Sequence, residues 1–80
     1  MNLNALRSLL IAQGFRPDAY VLGDTVNPSE TYVLEPRDGG WVTFYAERGL
    51  ETSIKAFPTL DEAAQELLGV LSADPTTRRS

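Results

Sequence analysis

Side chains able to carry acid–base or nucleophilic chemistry are limited here to carboxylates and hydroxyls. The 80 residues include eleven Asp and Glu and seven Lys and Arg, with no histidine and no cysteine. Histidine is the commonest general base, and cysteine thiolates act as nucleophiles and metal ligands, so both kinds of site are excluded. The serines consequently have no histidine to activate them.

The carboxylates do not form a convincing catalytic or metal-binding pattern. Glu47 and Glu51 flank a predicted hairpin turn, but an acid–base pair needs a cleft and a shifted pKa, which a thin sheet rarely provides. Asp24, Glu30 and Glu35 do not follow the spacing of a calcium-binding loop. We therefore expect no enzymatic activity, no cofactor and no bound metal.

Composition predicts one small acidic domain. The formal net charge is -4, which opposes binding to the phosphate backbone of nucleic acids, and 42% of the residues are hydrophobic. No apolar run approaches the roughly 20 residues needed to cross a bilayer. Met1-Asn2-Leu3-Asn4 lacks the basic and apolar regions of a secretory signal, so we expect a cytoplasmic protein that does not bind membranes.

Two amphipathic helices are predicted at the ends of the chain. Near the start, leucines recur at helical spacing after a possible cap at Asn2 or Asn4, and Gly14 provides a left-handed terminus. Near the end, Thr59 and Glu62 form a capping-box pattern before a stripe of leucines. We assign residues 1–73 to a single α+β domain and residues 74–80, which lack apolar side chains, to a flexible C-terminal tail.

Four strands are predicted between the helices, at residues 19–22, 31–35, 41–46 and 50–56. Arg37-Asp38-Gly39 and Glu47-Arg48-Gly49 are interpreted as three-residue hairpin loops, each ending in a left-handed glycine. Counting outward from these loops places Leu34 opposite Val42, and Val42 opposite Ile54.

The predicted fold is a four-stranded antiparallel β-meander in the order αββββα, with both helices packed on one face. In this register the helix-covered face carries Tyr32, Leu34, Val42, Phe44, Ala46, Leu50 and Ile54. The opposite, open face carries Val33, Glu35, Trp41, Thr43, Tyr45, Glu51, Ser53 and Lys55.

The open face is the first candidate binding surface. Trp41 and Tyr45 lie on it within a rim formed by Glu35, Glu51 and Lys55, and an aromatic anchor in a charged rim is a common interface design. The alternative is that the two aromatic side chains only cover and stabilise the sheet. The second candidate is the connection from Asp24 to Glu30, which is long enough for recognition but equally suited to a plain surface loop.

Several segments of the chain, taken in order, resemble a known family of bacterial proteins. The segments are Gly14 to Tyr20 after the first helix, Gly40-Trp41 at a strand start, Phe44 to Gly49, and Phe57 before the capped helix with Asp61-Glu62-Ala63. They are similar to small immunity proteins encoded beside secreted NAD(P)+ glycohydrolase toxins of the necrotizing-toxin type. The resemblance spans about residues 5 to 71. Its most specific part is W-x-x-x-Y-x-E-R-G, from Trp41 to Gly49.

The resemblance implies a cytoplasmic, non-enzymatic inhibitor that forms a 1:1 complex with its toxin and blocks the NAD+ pocket. On the family's terms, Glu47 and Arg48 at the hairpin tip are the leading contact residues, with Trp41 and Tyr45 behind them and Asp24 to Glu30 next. Glu47-Arg48-Gly49 is equally consistent with plain turn chemistry. The alternative function is a small acidic interaction module, such as a secretion adaptor or effector chaperone.

Overall fold

A computed structural model describes residues 1–23 and 30–78 of the chain. In order, the elements are α1 (Leu3–Ala12), β1 (Tyr20–Leu22), β2 (Thr31–Arg37), β3 (Gly40–Glu47), β4 (Leu50–Phe57), α2 (Leu60–Ala73) and a 3-10 turn (Pro75–Thr77). The predicted α+β class and αββββα order are confirmed. No helix in the described part of the chain is long and apolar enough to cross a membrane.

Both helices begin at the predicted caps. The Asn2 side chain accepts a hydrogen bond from the Ala5 amide, and the Thr59 hydroxyl accepts one from the Glu62 amide. Each cap satisfies an amide that has no partner within its helix. Gly14 ends the first helical segment with a φ of 87°, as its position in the sequence predicts.

The sheet has the order β1-β2-β3-β4, but β1 runs parallel to β2, so the prediction of a purely antiparallel meander is wrong. Tyr20, Val21 and Leu22 pair with Tyr32, Val33 and Leu34. A parallel connection must return the chain along the length of the strand it leaves. Because β1 has only three residues, that return covers only about 10 Å.

The register of both hairpins differs from the prediction by one residue. Arg37 pairs with Gly40 and Glu47 pairs with Leu50, so the turns are the two-residue loops Asp38-Gly39 and Arg48-Gly49. All four turn residues have positive φ, between 51° and 81°, which defines type I′ turns. Such turns match the right-handed twist of the strands.

The one-residue change of register moves the side chains of β3 to the face opposite the predicted one. On β2, Tyr32 and Leu34 face the helices, as predicted. Leu34 packs with Tyr20 and Leu22 in the main core, where Leu6, Leu10 and Leu67 are fully buried. The main core also includes Phe15, Ala19, Ala63, Ala64 and Leu71.

A second, smaller cluster contains Val33, Val42, Phe44 and Ala46. Strand alternation places these side chains on the sheet face opposite the helices, which we call the outer face. The prediction that Val42, Phe44 and Ala46 lie beneath the helices is wrong. All four members of the cluster are nevertheless buried.

The edge strand β4 contributes little to either cluster. Its register shifts between Thr43 and Tyr45 of the neighbouring strand, where Ser53 has a φ of 57°. This bulge adds a residue to β4 and disturbs its alternation. Leu50 and Ile54 are 66% and 50% exposed, so their predicted place in the core is wrong.

The C-terminal segment, which the sequence assigns to a flexible tail, makes specific contacts over residues 74–78. Thr77 is buried and donates a hydrogen bond from its hydroxyl to the Leu71 carbonyl at 2.6 Å. Arg78 pairs with Phe15 in an isolated β-bridge, and its guanidinium lies 4.6 Å from the ring centroid of that residue. The segment therefore ties the end of α2 to the end of α1, through backbone and polar contacts that hydrophobic patterning does not detect.

Candidate functional site

The structure separates the residues that the sequence grouped into one binding patch. Trp41 is partly buried against the main core, and Tyr45 lies on the same helix-facing side of the sheet. Glu35 and Glu51 lie on the outer face, whereas Glu47 and Arg48 lie at the β3–β4 turn. Asp24, together with residues 25–29, lies outside the described residues, and Glu30 is exposed just before β2.

Trp41 is a packing residue rather than part of an open patch. Its side chain is partly buried against the main core, and its strand position pairs with Phe57. The strand end beside it is tightly packed, since a Cβ added to Gly40 would lie 2.7 Å from the Phe57 carbonyl oxygen. The prediction of Trp41 on an open face is therefore wrong, and the shifted register is the reason.

Glu35 and Glu51 are tied together by Arg37 on the outer face. The guanidinium donates to the Glu51 carboxylate at 3.0 and 3.2 Å and to Glu35 at 3.3 Å. It also lies 5.4 Å from the centroid of the Phe44 ring. The hydrogen bond from Arg37 lowers the pKa of Glu51. These two carboxylates are already paired, which makes them less available to a partner.

Glu30 and Glu47 lie together at the opposite end of the sheet from Trp41. Thr31 pairs with Ala46, so Glu30 and Glu47 occupy neighbouring ends of β2 and β3. Both are exposed, and neither forms an ion pair within residues 1–23 and 30–78. We call Glu30, Glu47 and the Arg48-Gly49 turn the acid end.

Arg48 occupies an unusual backbone conformation for its residue type. Its φ of 51° places it in the left-handed region, as does the φ of 52° at Asp38 in the other turn. Asp and Asn tolerate this conformation well, whereas a long side chain such as Arg is less favoured there. The tip of the acid end thus carries an exposed cation at a local conformational cost.

A groove of about 630 Å³ opens beside the acid end, between the sheet and α2. We call it the tyrosine groove. Its sheet wall includes Tyr32, Thr43 and Tyr45, and its helix wall includes Val70 and Asp74. The Tyr32 and Tyr45 rings meet edge to face with centroids 4.8 Å apart, which fixes their relative orientation.

Acidic groups surround the two tyrosines. The Tyr32 hydroxyl donates to the Asp74 carboxylate at 3.1 Å, and burial together with this contact raises the pKa of Tyr32. Burial also raises the pKa of Tyr45, and the negative charges of Glu30, Glu47 and Asp74 add to that increase. Hydrogen bonds from Thr76 lower the pKa of Asp74, which keeps that carboxylate charged. The potential at this end of the groove is therefore negative.

Two cations near the groove, Lys55 and Arg16, are already engaged in ion pairs. Lys55, on the lining, donates to the Glu66 carboxylate at 2.9 Å. Arg16, whose charge also lowers the pKa of Asp74, lies 3.5 Å from Asp18. The charges that act on Tyr45 are therefore the three carboxylates, while Arg48 remains an exposed cation at the adjoining turn.

Sequence reasoning missed two residues of the groove. Tyr32 was predicted as a core residue, although its phenol carries a hydroxyl that needs a polar partner when partly buried. Asp74 was predicted in a flexible tail, although Asp-Pro is a typical start of a short helical turn. In the structure the Asp74 side chain caps that turn by accepting from the Thr76 amide.

The described residues contain no group of three or more His, Cys, Asp and Glu able to hold a metal ion. The geometry of the groove and of the acid end instead favours non-covalent recognition, because aromatic rings, hydroxyls and carboxylates converge there. Comparisons with protein-family models, curated proteins and solved structures give no match.

Proposed function

We propose that this protein is an immunity protein that binds a secreted NAD(P)+ glycohydrolase toxin and inhibits it by covering the active site. The acid end carries the proposal, because it combines a projecting turn with carboxylates that form no ion pair within residues 1–23 and 30–78. The protein would act in the cytoplasm of the cell that makes the toxin.

Charge complementarity supports this surface. A cleft that binds the pyrophosphate of NAD+ must present cationic groups or backbone amides to it. The acid end offers Glu30 and Glu47, within a chain of net charge -4, and would be attracted to such a cleft. Complementary charge also accelerates encounter between two proteins.

The shape of the turn is a second support. A two-residue turn is the narrowest connection between antiparallel strands, so the Arg48-Gly49 tip fits a concave site. Arg48 keeps its left-handed conformation despite the cost, and strained exposed residues often have binding roles. These observations support Glu47 and Arg48 as contact residues, with Tyr45 behind them. Trp41 is assigned to packing.

The test is a complex with a secreted NAD(P)+ glycohydrolase encoded beside the gene for this protein. We expect a 1:1 complex on size-exclusion chromatography in which NAD+ hydrolysis is abolished. Substituting Glu47→Arg should weaken inhibition strongly, because it reverses a charge at the contact. Asp38→Arg makes the same charge change at the other hairpin and serves as the matched control.

Two outcomes contradict the proposal. A complex that leaves NAD+ hydrolysis intact points to the secretion-adaptor or chaperone alternative, since such a partner binds outside the active site. Equal loss of inhibition from Glu47→Arg and Asp38→Arg contradicts the assignment of the surface to the acid end. Circular dichroism on both variants must first establish that they are folded.

A further inference from the structure

We infer that the tyrosine groove receives an arginine side chain of the partner protein, stacked against Tyr45 beside the acid end. The inference rests on the proposed function only for the identity of that partner. The observations that carry it are the shape of the groove, the orientation of its two aromatic rings and the balance of charge around them.

The lining of the groove suits a long side chain that has an apolar stem. Its volume of about 630 Å³ is ample for an arginine side chain and lies in the range of small-molecule sites, so the lining and the charge, rather than the volume, identify the occupant. Tyr32 and Tyr45 provide aromatic surface on one wall, and Val70 provides an apolar surface on the other. The methylene stem of an arginine can lie along such apolar walls.

The charge distribution selects a cation. Glu30, Glu47 and Asp74 all act on Tyr45, and neither Glu30 nor Glu47 has an ion-pair partner in the part of the chain that the structure describes. Lys55 is held by Glu66 at 2.9 Å, and Arg48, the exposed cation of the acid end, is not among the charges that act on Tyr45. A phosphate or carboxylate ligand would be repelled by the same three acids.

Arginine fits better than lysine for a geometric reason. The guanidinium is planar, so it can stack on an aromatic ring while its edge donates paired hydrogen bonds to a carboxylate. The Tyr45 ring and the Glu47 carboxylate are two residues apart on β3, on the same side of the strand in its alternation. A single guanidinium can therefore contact both.

The experiment uses a small probe, so that it does not depend on the toxin. N-acetyl-arginine amide is titrated into the isotopically labelled protein and followed by NMR on the Tyr32 and Tyr45 ring signals. We expect saturable shifts with a dissociation constant on the order of 1–10 mM, as the small size of the probe allows. N-acetyl-citrulline amide has the same shape without the charge, and we expect no saturable shifts from it.

Variants locate the bound probe. Glu47→Gln should weaken binding of the arginine probe by about threefold or more, because it removes a charge beside the ring. Tyr45→Leu should abolish the part of the binding that depends on stacking of the guanidinium against the aromatic ring. Asp38→Asn removes the same charge at the other turn, where the left-handed conformation suits Asn, and should leave binding unchanged.

The outcomes separate this inference from the proposed function. Equal binding of the arginine and citrulline probes, or shifts confined to residues outside the groove, overturns the inference even if the protein inhibits its toxin. Selective binding of the arginine probe by a protein that inhibits no NAD(P)+ glycohydrolase upholds the groove and overturns the proposed function. Binding of inorganic phosphate in the groove also overturns the inference.

Discussion

The two ends of the central hairpin strand β3 share the same turn geometry and differ in how closely the neighbouring residues pack. Asp38-Gly39 has φ values of 52° and 79°, and Arg48-Gly49 has values of 51° and 81°. The first turn leads into what we call the closed end, formed by Gly40, Trp41 and Phe57, which pack closely. The second turn belongs to the acid end, where carboxylates are exposed and unpaired among the described residues.

The ion pairs distinguish charged side chains that stabilise this fold from charged side chains that are available for binding. Charged side chains that contribute to stability form ion pairs, as Arg37 does with Glu35 and Glu51. Glu30 and Glu47, which the described part of the fold does not pair, stand beside a groove. Substitutions at the closed end should therefore change stability, and substitutions at the acid end should change binding.

The largest effect on stability is expected from Gly40→Ala at the closed end. The new Cβ would lie 2.7 Å from the Phe57 carbonyl oxygen, so β3 and the end of β4 would have to separate. We expect a loss of about 1–3 kcal/mol in the free energy of unfolding, measured in urea. Gly69→Ala, in α2 where nothing lies within 4 Å, should instead stabilise by about 0.5–1 kcal/mol. An unchanged free energy of unfolding in Gly40→Ala would contradict the close packing of β3 against Phe57.

A smaller loss is expected from Arg37→Ala. The substitution removes a cation from above Phe44 and leaves Glu35 and Glu51 without their shared partner. Because the network is partly exposed and screened by solvent, we expect a loss of about 0.5–1.5 kcal/mol. Arg37→Met should lose less stability than Arg37→Ala, because the methionine side chain still covers the Phe44 ring. A loss greater after Arg37→Met than after Arg37→Ala would rule out the ring contact.

Acid should weaken the same network. The folded state lowers the pKa of Glu51 from its ordinary value of 4.5, through the hydrogen bond from Arg37. Its contribution is therefore complete above about pH 4.5 and is lost as the pH falls through the lowered pKa. We expect Glu51→Gln to flatten the decline of stability below pH 4.5, by less than about 1 kcal/mol because the pair is exposed. An unchanged slope in urea titrations at pH 3 to 6 would contradict this role.

The smallest effect should come from Arg48→Asn, and it should be favourable. Asn-Gly is the preferred sequence of a type I′ turn, and Asn adopts a φ near 51° more readily than Arg. We expect a gain of about 0.5 kcal/mol in stability. At the closed end Asp38→Asn should change stability less, because Asp already suits the turn. If Arg48→Asn destabilises the protein, Arg48 has a structural role and is not conformationally costly.

The order of the elements could be predicted from the sequence, whereas the faces of the sheet could not. Caps at Asn2 and Thr59 and the left-handed Gly14 are local signals and are confirmed. The predicted register depended on the length assigned to each turn. A three-residue loop places two residues before the glycine, and a two-residue loop places one. Asp38-Gly39 is a typical type I′ sequence, so the correct register of the first hairpin was accessible.

Other features depended on contacts that no local pattern contains. β1 pairs with β2 in parallel, a direction that the spacing of apolar residues does not specify. The bulge at Ser53 exposes Ile54, and Tyr32 meets Asp74 across 42 positions of sequence. The candidate patch was divided by the register instead: once the register shifts, Trp41 and Glu51 no longer share a surface.

The central claim is that the protein binds its partner through the acid end, and paired charge variants test it most directly. Glu30→Gln with Glu47→Gln removes two charges from the acid end, and Glu35→Gln with Glu51→Gln removes two from the outer face. We would measure binding of both folded double variants to the toxin by calorimetry at low salt. The account predicts a loss of affinity of about tenfold or more for the first pair and about threefold or less for the second. An equal loss for both pairs, or a greater loss for the second, would contradict it.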